Sequence, residues 1–505
     1  MRTETQRIAD PTPTPVSHER DPSPAATPPP PLTPEQRPGW WPRHLHRILR
    51  FIARTYYRVR VVGEVPARGP VLLVANHPNS LMDGPLLAMA AGRPVRFLAG
   101  APLFDRVGVG WLLRGSGAIP VFRRVDAPEL VGRNREMFAA VQDALAGGAC
   151  VGVFPEGLSN AGPALAPLKT GAARIALGAA ARFSTHIPIL PVGITLRGRK
   201  GRFHADALVV VGKPVRWQDL STRGGEEDSS AVRDLTNRIE EGLARVTVNL
   251  RDWDELPLVE TAEAVHDAEF GRRRSANPVR WLARMRRAAE ALELARGLEQ
   301  RGGASGSASS GAPAGAPGSD SFVPSRSTLD EALREHHRIL QSLSLRPADL
   351  HRLPRRSVAV RWTLKNLLFF GVALPLAIFG SAVFALPWAV IRRAEPRYRL
   401  TPDREATYRV LASIAAFGTW IFLLSAVTQQ LWGWRAASGM LLALPLLGFL
   451  TLRIRTRWRS AIADLDRFLL LRGSGTVRSE LLAAQRALAE RIRTLQARIR
   501  QTHRP

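Results

Sequence analysis

Two long apolar stretches near the C-terminus set the tightest limit on what this 505-residue chain can fold into. Leu364–Ile391 is broken only by Lys365, Asn366, Pro375 and Pro387, and Val410–Leu452 is interrupted by Gln429-Gln430 and Trp432-Gly433-Trp434-Arg435. A helix that crosses a bilayer needs about 20 apolar residues. The second stretch is therefore long enough for two helices joined by a tight turn. Runs of this length seldom belong to soluble domains, so the expectation is an integral membrane protein. The first stretch has two readings. As one of three full spans, it would leave one flanking cluster, Arg352/Arg355/Arg356/Arg361 or Arg392/Arg393/Arg397/Arg399, on the non-cytoplasmic side, against the positive-inside tendency. As a re-entrant segment bent at Pro375, it would keep every basic flank in the cytoplasm, though it is short for a hairpin.

Charge adds a second constraint. The net charge is +28 and the only lysines are Lys169, Lys200, Lys213 and Lys365, so the excess is almost entirely arginine. A GC-rich genome produces such a bias, and so does a surface attracted to anionic lipid head groups or to nucleic acid. No nucleic-acid recognition motif accompanies the charge, and two membrane stretches weigh against that partner. Membrane lipids are the expected one. The single cysteine, Cys150, excludes an intrachain disulfide, and its apolar run Ala149–Phe154 gives it a packing role. No Cys/His spacing of the zinc type is present, so no metal is expected.

The rest of the chain divides by composition. Residues 1–37 are a Pro-rich tail expected to be disordered, with no apolar core of a signal peptide. Residues 38–252 read as an α/β domain with a mixed, largely buried sheet flanked by helices. Its strands are expected at Val71–Ala75, Val95–Ala99, Ile119–Phe122, Val151–Phe154, Ile187–Ile194 and Ala207–Val211, and its helices at about 85–91, 128–146, 169–182 and 231–245. An amphipathic helix beginning Trp40-Trp41 precedes them and either lies in the membrane interface or packs on the domain. There follow a helical extension (253–301), a Gly/Ser/Ala/Pro linker (302–325), a basic helical segment (326–361), membrane helices (362–453) and a basic amphipathic tail (454–505). In the tail, Leu481, Leu488, Ile492, Leu495 and Ile499 fall at heptad-like spacing. They serve either self-association or packing against the protein or the membrane.

The chemistry concentrates in Val74-Ala75-Asn76-His77-Pro78-Asn79-Ser80-Leu81-Met82-Asp83-Gly84-Pro85. A strand ends, a polar turn follows, and a helix begins with Pro85 near its first position. His77 falls in the turn and Asp83 at the helix N-terminus, where backbone N–H groups favour an ionised carboxylate. A carboxylate bonded to one imidazole nitrogen fixes the tautomer and makes the other nitrogen a better base. That apparatus can take a proton from an alcohol as it attacks a thioester. Three further segments follow in order. Gly117–Arg124 ends a strand on two arginines suited to a phosphate, Val153–Asn160 ends another on Glu156-Gly157, and Ile187–Gly193 is an apolar strand bracketed by prolines.

These four blocks, within about residues 60–215, resemble the phospholipid/glycerol acyltransferase family. The resemblance implies an α/β acyltransferase fold followed by helical and transmembrane or re-entrant segments. It implies His77 as general base and Asp83 as its partner. It assigns Arg123 to the glycerol phosphate, Glu156 and Gly157 to the acceptor site, and Pro191 to the acyl-donor side. Asn76, Lys169 and Gly171 join the substrate-binding set. Two departures stand out. His77 and Asp83 are separated by five residues where the family's usual block has four, and Leu158-Ser159-Asn160 replaces the usual Thr-Arg-Ser. Both features resemble the fungal-type glycerol-3-phosphate/dihydroxyacetone phosphate acyltransferases and their bacterial relatives. The implied co-substrates are acyl-CoA or acyl carrier protein and a phosphorylated glycerol, with no cofactor. The implied location is a membrane with the catalytic domain in the cytoplasm, the inner membrane if the source is bacterial. A lysophosphatidic acid or other lysophospholipid acceptor stays open, as does a non-catalytic lipid-binding protein.

Overall fold

The structure is a computed structural model and describes residues 40–105, 109–122, 132, 134–183, 187–197, 205–221, 225–271, 278–305, 328–351, 356–394, 405–473 and 475–502. The α/β half begins with α1 (Trp40–Tyr56), which runs directly into β1 (Tyr57–Val62). It continues through β2 (Val71–Ala75), α2 (Asp83–Ala91), β3 (Val95–Gly100), α3 (Val109–Gly115) and β4 (Ile119–Val121). Next come α4 (Asn134–Ala146), β5 (Cys150–Val153), α5 (Gly171–Phe183), β6 (Ile189–Arg197), β7 (Ala205–Val211) and α6 (Ser229–Ala244). The six expected strands are all present. Missing from the expectation were β1, whose Arg58 and Arg60 interrupt its apolar pattern, and the short α3.

The strands form one sheet in the order β1-β7-β6-β2-β5-β3-β4. Every pairing is parallel except β6 with β7. Parallel strands need crossover helices, which cover both faces and make central strands continuously apolar. Strand β2 shows this: all five of its residues are buried, and their side chains alternate between two cores. Leu72 and Val74 join Val141, Ile175 and Leu235 from α4, α5 and α6, whereas Val71, Leu73 and Ala75 join Ala53 of α1 and Leu86 and Leu87 of α2. Cys150 is buried in the second core, as a packing residue would be. Adjacent parallel strands β2 and β5 end side by side, which brings their C-terminal loops together.

Beyond the sheet, the expected charged helix over the extension is two, α7 (Leu256–Phe270) and α8 (Pro278–Ser305), followed by α9 (Leu329–Ser342). The membrane stretches appear as α10 (Arg356–Val383), α11 (Ala385–Ala394) and α12 (Glu405–Gly473), and the chain ends in α13 (Gly475–Thr502). Pro375 lies inside α10 without ending it, and the break between α10 and α11 comes at Phe384 instead. The helix absorbs the proline because only one hydrogen bond is lost, at the carbonyl of Gly371 four residues earlier. The expected turn in the second stretch is present: α12 is broken at Gly433, with φ 79° and ψ 176°. Two described segments, Val360–Val383 and Thr407–Leu470, are long and apolar enough to cross a membrane. The tail's stripe is covered within the chain, since Leu488, Ala489 and Ile492 of α13 share a core with Leu258 of α7, Met285 of α8 and Leu333 of α9. Self-association through that stripe therefore gains no support. The Pro-rich tail and the linker beyond residue 305 fall outside the described residues.

Candidate active site

The last residue of β2, Ala75, delivers Asn76 and His77 to the C-terminal edge of the sheet. The Asn76 amide donates to the carbonyl of Ile194 (3.0 Å) and accepts from its N–H (2.7 Å), carrying the β2–β6 pairing one step past the strand. His77 is thereby launched from a fixed backbone. Its turn closes through Ser80–Met82, a single 3₁₀ turn, into α2, whose first residue is Asp83. Within this turn Ser80 sits at φ 51°.

His77 Nδ1 donates to Asp83 Oδ2 at 2.8 Å. The same oxygen accepts the Asn79 N–H at 2.7 Å. Asp83 is fully buried while the His77 side chain keeps 20% exposure, so the pair has a sealed carboxylate and an accessible imidazole. With Nδ1 protonated toward the carboxylate, Nε2 carries the lone pair, and it has no hydrogen-bond partner among the described residues. The ring stacks on Phe154, at 4.1 Å between centroids and 14° between planes, which fixes its orientation. Burial beneath the turn pushes the Tyr57 phenol well above its usual value, with Tyr56 and Asp83 adding to the rise. Tyr57 is therefore a neutral hydroxyl, and it accepts from Asn79 Nδ2 at 2.6 Å.

The loop after β5 grips the same turn. Glu156, only 5% exposed, accepts the His77 N–H with Oε1 (2.8 Å) and the Ala166 N–H with Oε2 (3.1 Å). Both oxygens are thus committed to backbone amides, which gives this carboxylate a scaffolding contact alongside any role toward an acceptor. Asn160 N–H donates to the His77 carbonyl at 2.8 Å. Gly157 has φ 78°, a backbone that disfavours any side chain, and the stem of Lys169 lies over it. Lys169 is exposed and tied back through its own N–H to the carbonyl of Pro155 (2.7 Å).

The structure thus gathers Asn76, His77, Asp83, Glu156, Gly157 and Lys169 around one strand edge. Gly171 opens α5 with open space around it. Pro191 lies inside β6, in register with Val74 and packed beside Gly212 and Gly242, in the sheet interior. Arg123 lies outside the described residues; the strand before it ends at Val121, and the N–H and carbonyl of the next residue, Phe122, both pair with the Asn134 side chain. Among the described residues no three His, Cys, Asp or Glu side chains gather as a metal would require. A cavity of about 70 Å³ opens beside Pro78, walled by Glu156, Asn160 and Trp253 and by Trp281 of α8, so the helical extension reaches the site. The first turns of α12 do so from another direction. They touch Ser80–Met82, and Val410 packs on the core that contains Met82.

Reasoning from sequence passed over Tyr57, Asn79, Phe154 and Ser159. Asn79, Phe154 and Ser159 stood inside the blocks that drew attention. Tyr57 carried no signal, since only folding brings β1 beneath the turn.

Residues 58–195 match the family model described as Acyltransferase. Among curated proteins, glycerol-3-phosphate O-acyltransferase 2 of Saccharomyces cerevisiae is 35% identical over 138 residues, 26% of this chain and 18% of that one. A lyso-ornithine lipid O-acyltransferase of Rhizobium meliloti is 32% identical over 173 residues, 33% of this chain and 55% of that one. The chain therefore spans less than a fifth of the yeast relative and about half of the rhizobial one. The crystal structure of a 1-acyl-sn-glycerophosphate acyltransferase from Thermotoga maritima aligns with 40% of this chain and 77% of that one, at 22% identity and a TM-score of 0.31.

Proposed function

Residues 58–195 are an acyltransferase-family domain, and from that premise we propose that the chain transfers a fatty acyl group from a thioester donor, acyl-CoA or acyl carrier protein, to a hydroxyl of glycerol-3-phosphate or dihydroxyacetone phosphate. The observation that carries this reading is the His77–Asp83 pair at 2.8 Å, with the carboxylate buried and the imidazole partly exposed. His77 Nε2 takes the hydroxyl proton as the acceptor oxygen attacks the thioester carbonyl. The tetrahedral adduct collapses, the C–S bond breaks, and the thiolate leaves with the proton returned from the imidazolium. Asp83 holds the tautomer and stabilises the imidazolium without itself taking the proton. No covalent acyl-enzyme is required, because the histidine acts as base and not as nucleophile. Lys169 beside Gly157, together with Arg123, supplies positive charge for an acceptor phosphate.

Two helices long and apolar enough to cross a membrane support a reading in which this chemistry takes place at a bilayer. Val372 of α10 and Leu442 of α12 are 78% and 77% exposed, surfaces that lipid would cover. Helix α1 adds exposed Trp40, Ile48 and Phe51, fitting an interfacial helix. The contact of α12 with the catalytic turn supports a second acceptor, a lysophospholipid delivered from the bilayer. The names of the rhizobial relative and of a 1-acyl-sn-glycerol-3-phosphate acyltransferase of Brassica napus, 27% identical over 191 residues, point the same way.

The test is an assay of membranes containing the full chain, with a labelled acyl donor and glycerol-3-phosphate, dihydroxyacetone phosphate or lysophosphatidic acid. One acceptor should be acylated, and His77→Ala should lower that rate by roughly 10²–10⁴-fold. An unchanged rate in His77→Ala would remove the catalytic assignment. No transfer to any acceptor by the wild type would favour a lipid-binding protein instead.

A further inference from the structure

Among described residues other than glycine, only Ser80 and Ser344 have a backbone in the left-handed region. At Ser80 this is strained, because an L side chain crowds the carbonyl there. Ser80 lies among the five residues that separate His77 from the buried Asp83, in the turn that keeps Nδ1 on Oδ2. So some other contact must hold Ser80 in place.

That contact is Ser159. The Ser80 N–H donates to Ser159 Oγ at 2.9 Å, and the Ser159 hydroxyl donates to the His77 carbonyl at 3.2 Å. One hydroxyl therefore bridges the turn from residue 80 back to residue 77. It comes from the β5 loop, whose Glu156 accepts the His77 N–H and whose Asn160 N–H donates to the same His77 carbonyl. The two places where this sequence departs from the usual acyltransferase pattern, the longer His–Asp spacing and the residues after Glu156-Gly157, meet at this single side chain.

We propose that Ser159 is a positioning residue, whose hydroxyl pins the left-handed Ser80 and so keeps the five-residue turn closed with His77 on Asp83. The activity part of this proposal rests on the acyl-transfer reading. The geometry does not. Strain at a left-handed serine and the net value of a hydrogen bond are comparable in size, so removing the bridge lets the turn open. A glycine at position 80 adopts that backbone freely, and the turn then needs no pin.

The experiment uses the full chain in detergent-solubilised membranes and compares Ser159→Ala, Ser159→Thr, Ser80→Gly and the double variant Ser80→Gly/Ser159→Ala. Ser159→Ala should lower kcat by about 10- to 100-fold with both KM values within about twofold, as expected when a base is misplaced and not when a substrate contact is lost. Ser159→Thr, which keeps the hydroxyl, should retain most activity. The double variant should recover to near the level of Ser80→Gly. If Ser159→Ala is as active as the wild type, or if glycine at position 80 gives no recovery, the proposal is overturned. Should Ser159→Ala fail to accumulate, the double variant must accumulate and work; its failure would count equally against the idea.

A second readout does not depend on any reaction. Amide hydrogen–deuterium exchange of the peptide covering Ser80 should be about tenfold faster or more in Ser159→Ala than in the wild type. Unchanged exchange would sink the pinning role whatever the enzyme's substrate. A wild type inactive on every acceptor, but with Ser80 protected by Ser159, would refute the acyl-transfer reading and leave the positioning role standing.

Discussion

At the scale of single residues, the His77–Asp83 turn is built from groups with divided duties. Asp83 meets His77 through one oxygen that also takes the Asn79 N–H, so the carboxylate is oriented by the backbone of the turn it stabilises. Replacing it with asparagine keeps the shape but presents an amide to Nδ1, which favours the wrong tautomer. Asp83→Asn should lower kcat by roughly 10³-fold with modest change in KM, measured in the acyl-transfer assay. His46 in α1 supplies a pH-dependent prediction. Burial, with Arg50 adding to it, lowers its pKa from 6.5 to about 4, so the folded chain holds it neutral. Between those values the unfolded chain binds a proton that the folded chain does not, so stability falls as pH drops from 6.5 toward 4. The loss from this residue should be no more than about 1 kcal/mol between pH 6.5 and 5 once solvent screening is allowed for. His46→Gln should flatten that part of the curve of unfolding midpoint against pH. His336 and His337, also lowered by burial, leave a residual slope of the same sign.

At the scale of elements, close approach decides which helices pair. Gly380 of α10 faces Thr451 of α12, and a Cβ at that glycine would overlap the threonine hydroxyl. The neighbouring crossing repeats the device, with Gly448 against the Phe384 ring. In lipid, where apolar side chains gain little from burial against each other, such small residues let helices pack closely. Gly380→Leu should pry α10 from α12 and cost about 1–3 kcal/mol, read as a lower melting temperature of the detergent-solubilised chain. An unchanged melt would mean that the two helices do not pack through this face. The periodicity of the sequence foresaw most of these elements, including the turn in the second apolar stretch, because Trp432-Gly433-Trp434-Arg435 breaks an otherwise uniform run. For the first stretch it left two readings open, a full span or a segment bent at Pro375, and α10 runs through that proline, since a missing N–H weakens a helix without obliging it to stop.

At the scale of the whole molecule, the chain returns on itself. After α12 the tail helix α13 packs on α7, α8 and α9, and α8 in turn walls the cavity beside Pro78. A polar knot ties the same layers: Glu269 of α7 accepts from both Gln485 of α13 and His351, each at 2.7 Å. Ile492 is fully buried in this core. A charge there has no partner, so Ile492→Asp should cost about 3 kcal/mol or more and release α13, seen as rapid proteolytic loss of the C-terminal segment. If the tail stays protected, α13 is held by contacts other than this core.

What the sequence determined by itself was local or periodic. The apolar runs of the strands, the two membrane-length stretches and the polar turn bearing His77 ahead of the helix-opening Asp83 all follow from side chains within a few residues of one another. What only the tertiary structure decided was which distant segments meet. Strand β1 pairs with β7 from the other end of the sheet's sequence, Tyr57 opposite Ala205. Tyr57 lies under Asn79, Glu156 spends both oxygens on backbone amides, and the tail's apolar stripe finds its partner in the same chain. Burial and register set these pairings between segments far apart in the chain, and no short window of residues carries them. For the His–Asp pair, the unusual spacing was visible in the sequence. Why it still closes to 2.8 Å was not, because the left-handed Ser80 and its bridge to Ser159 join residues 79 positions apart.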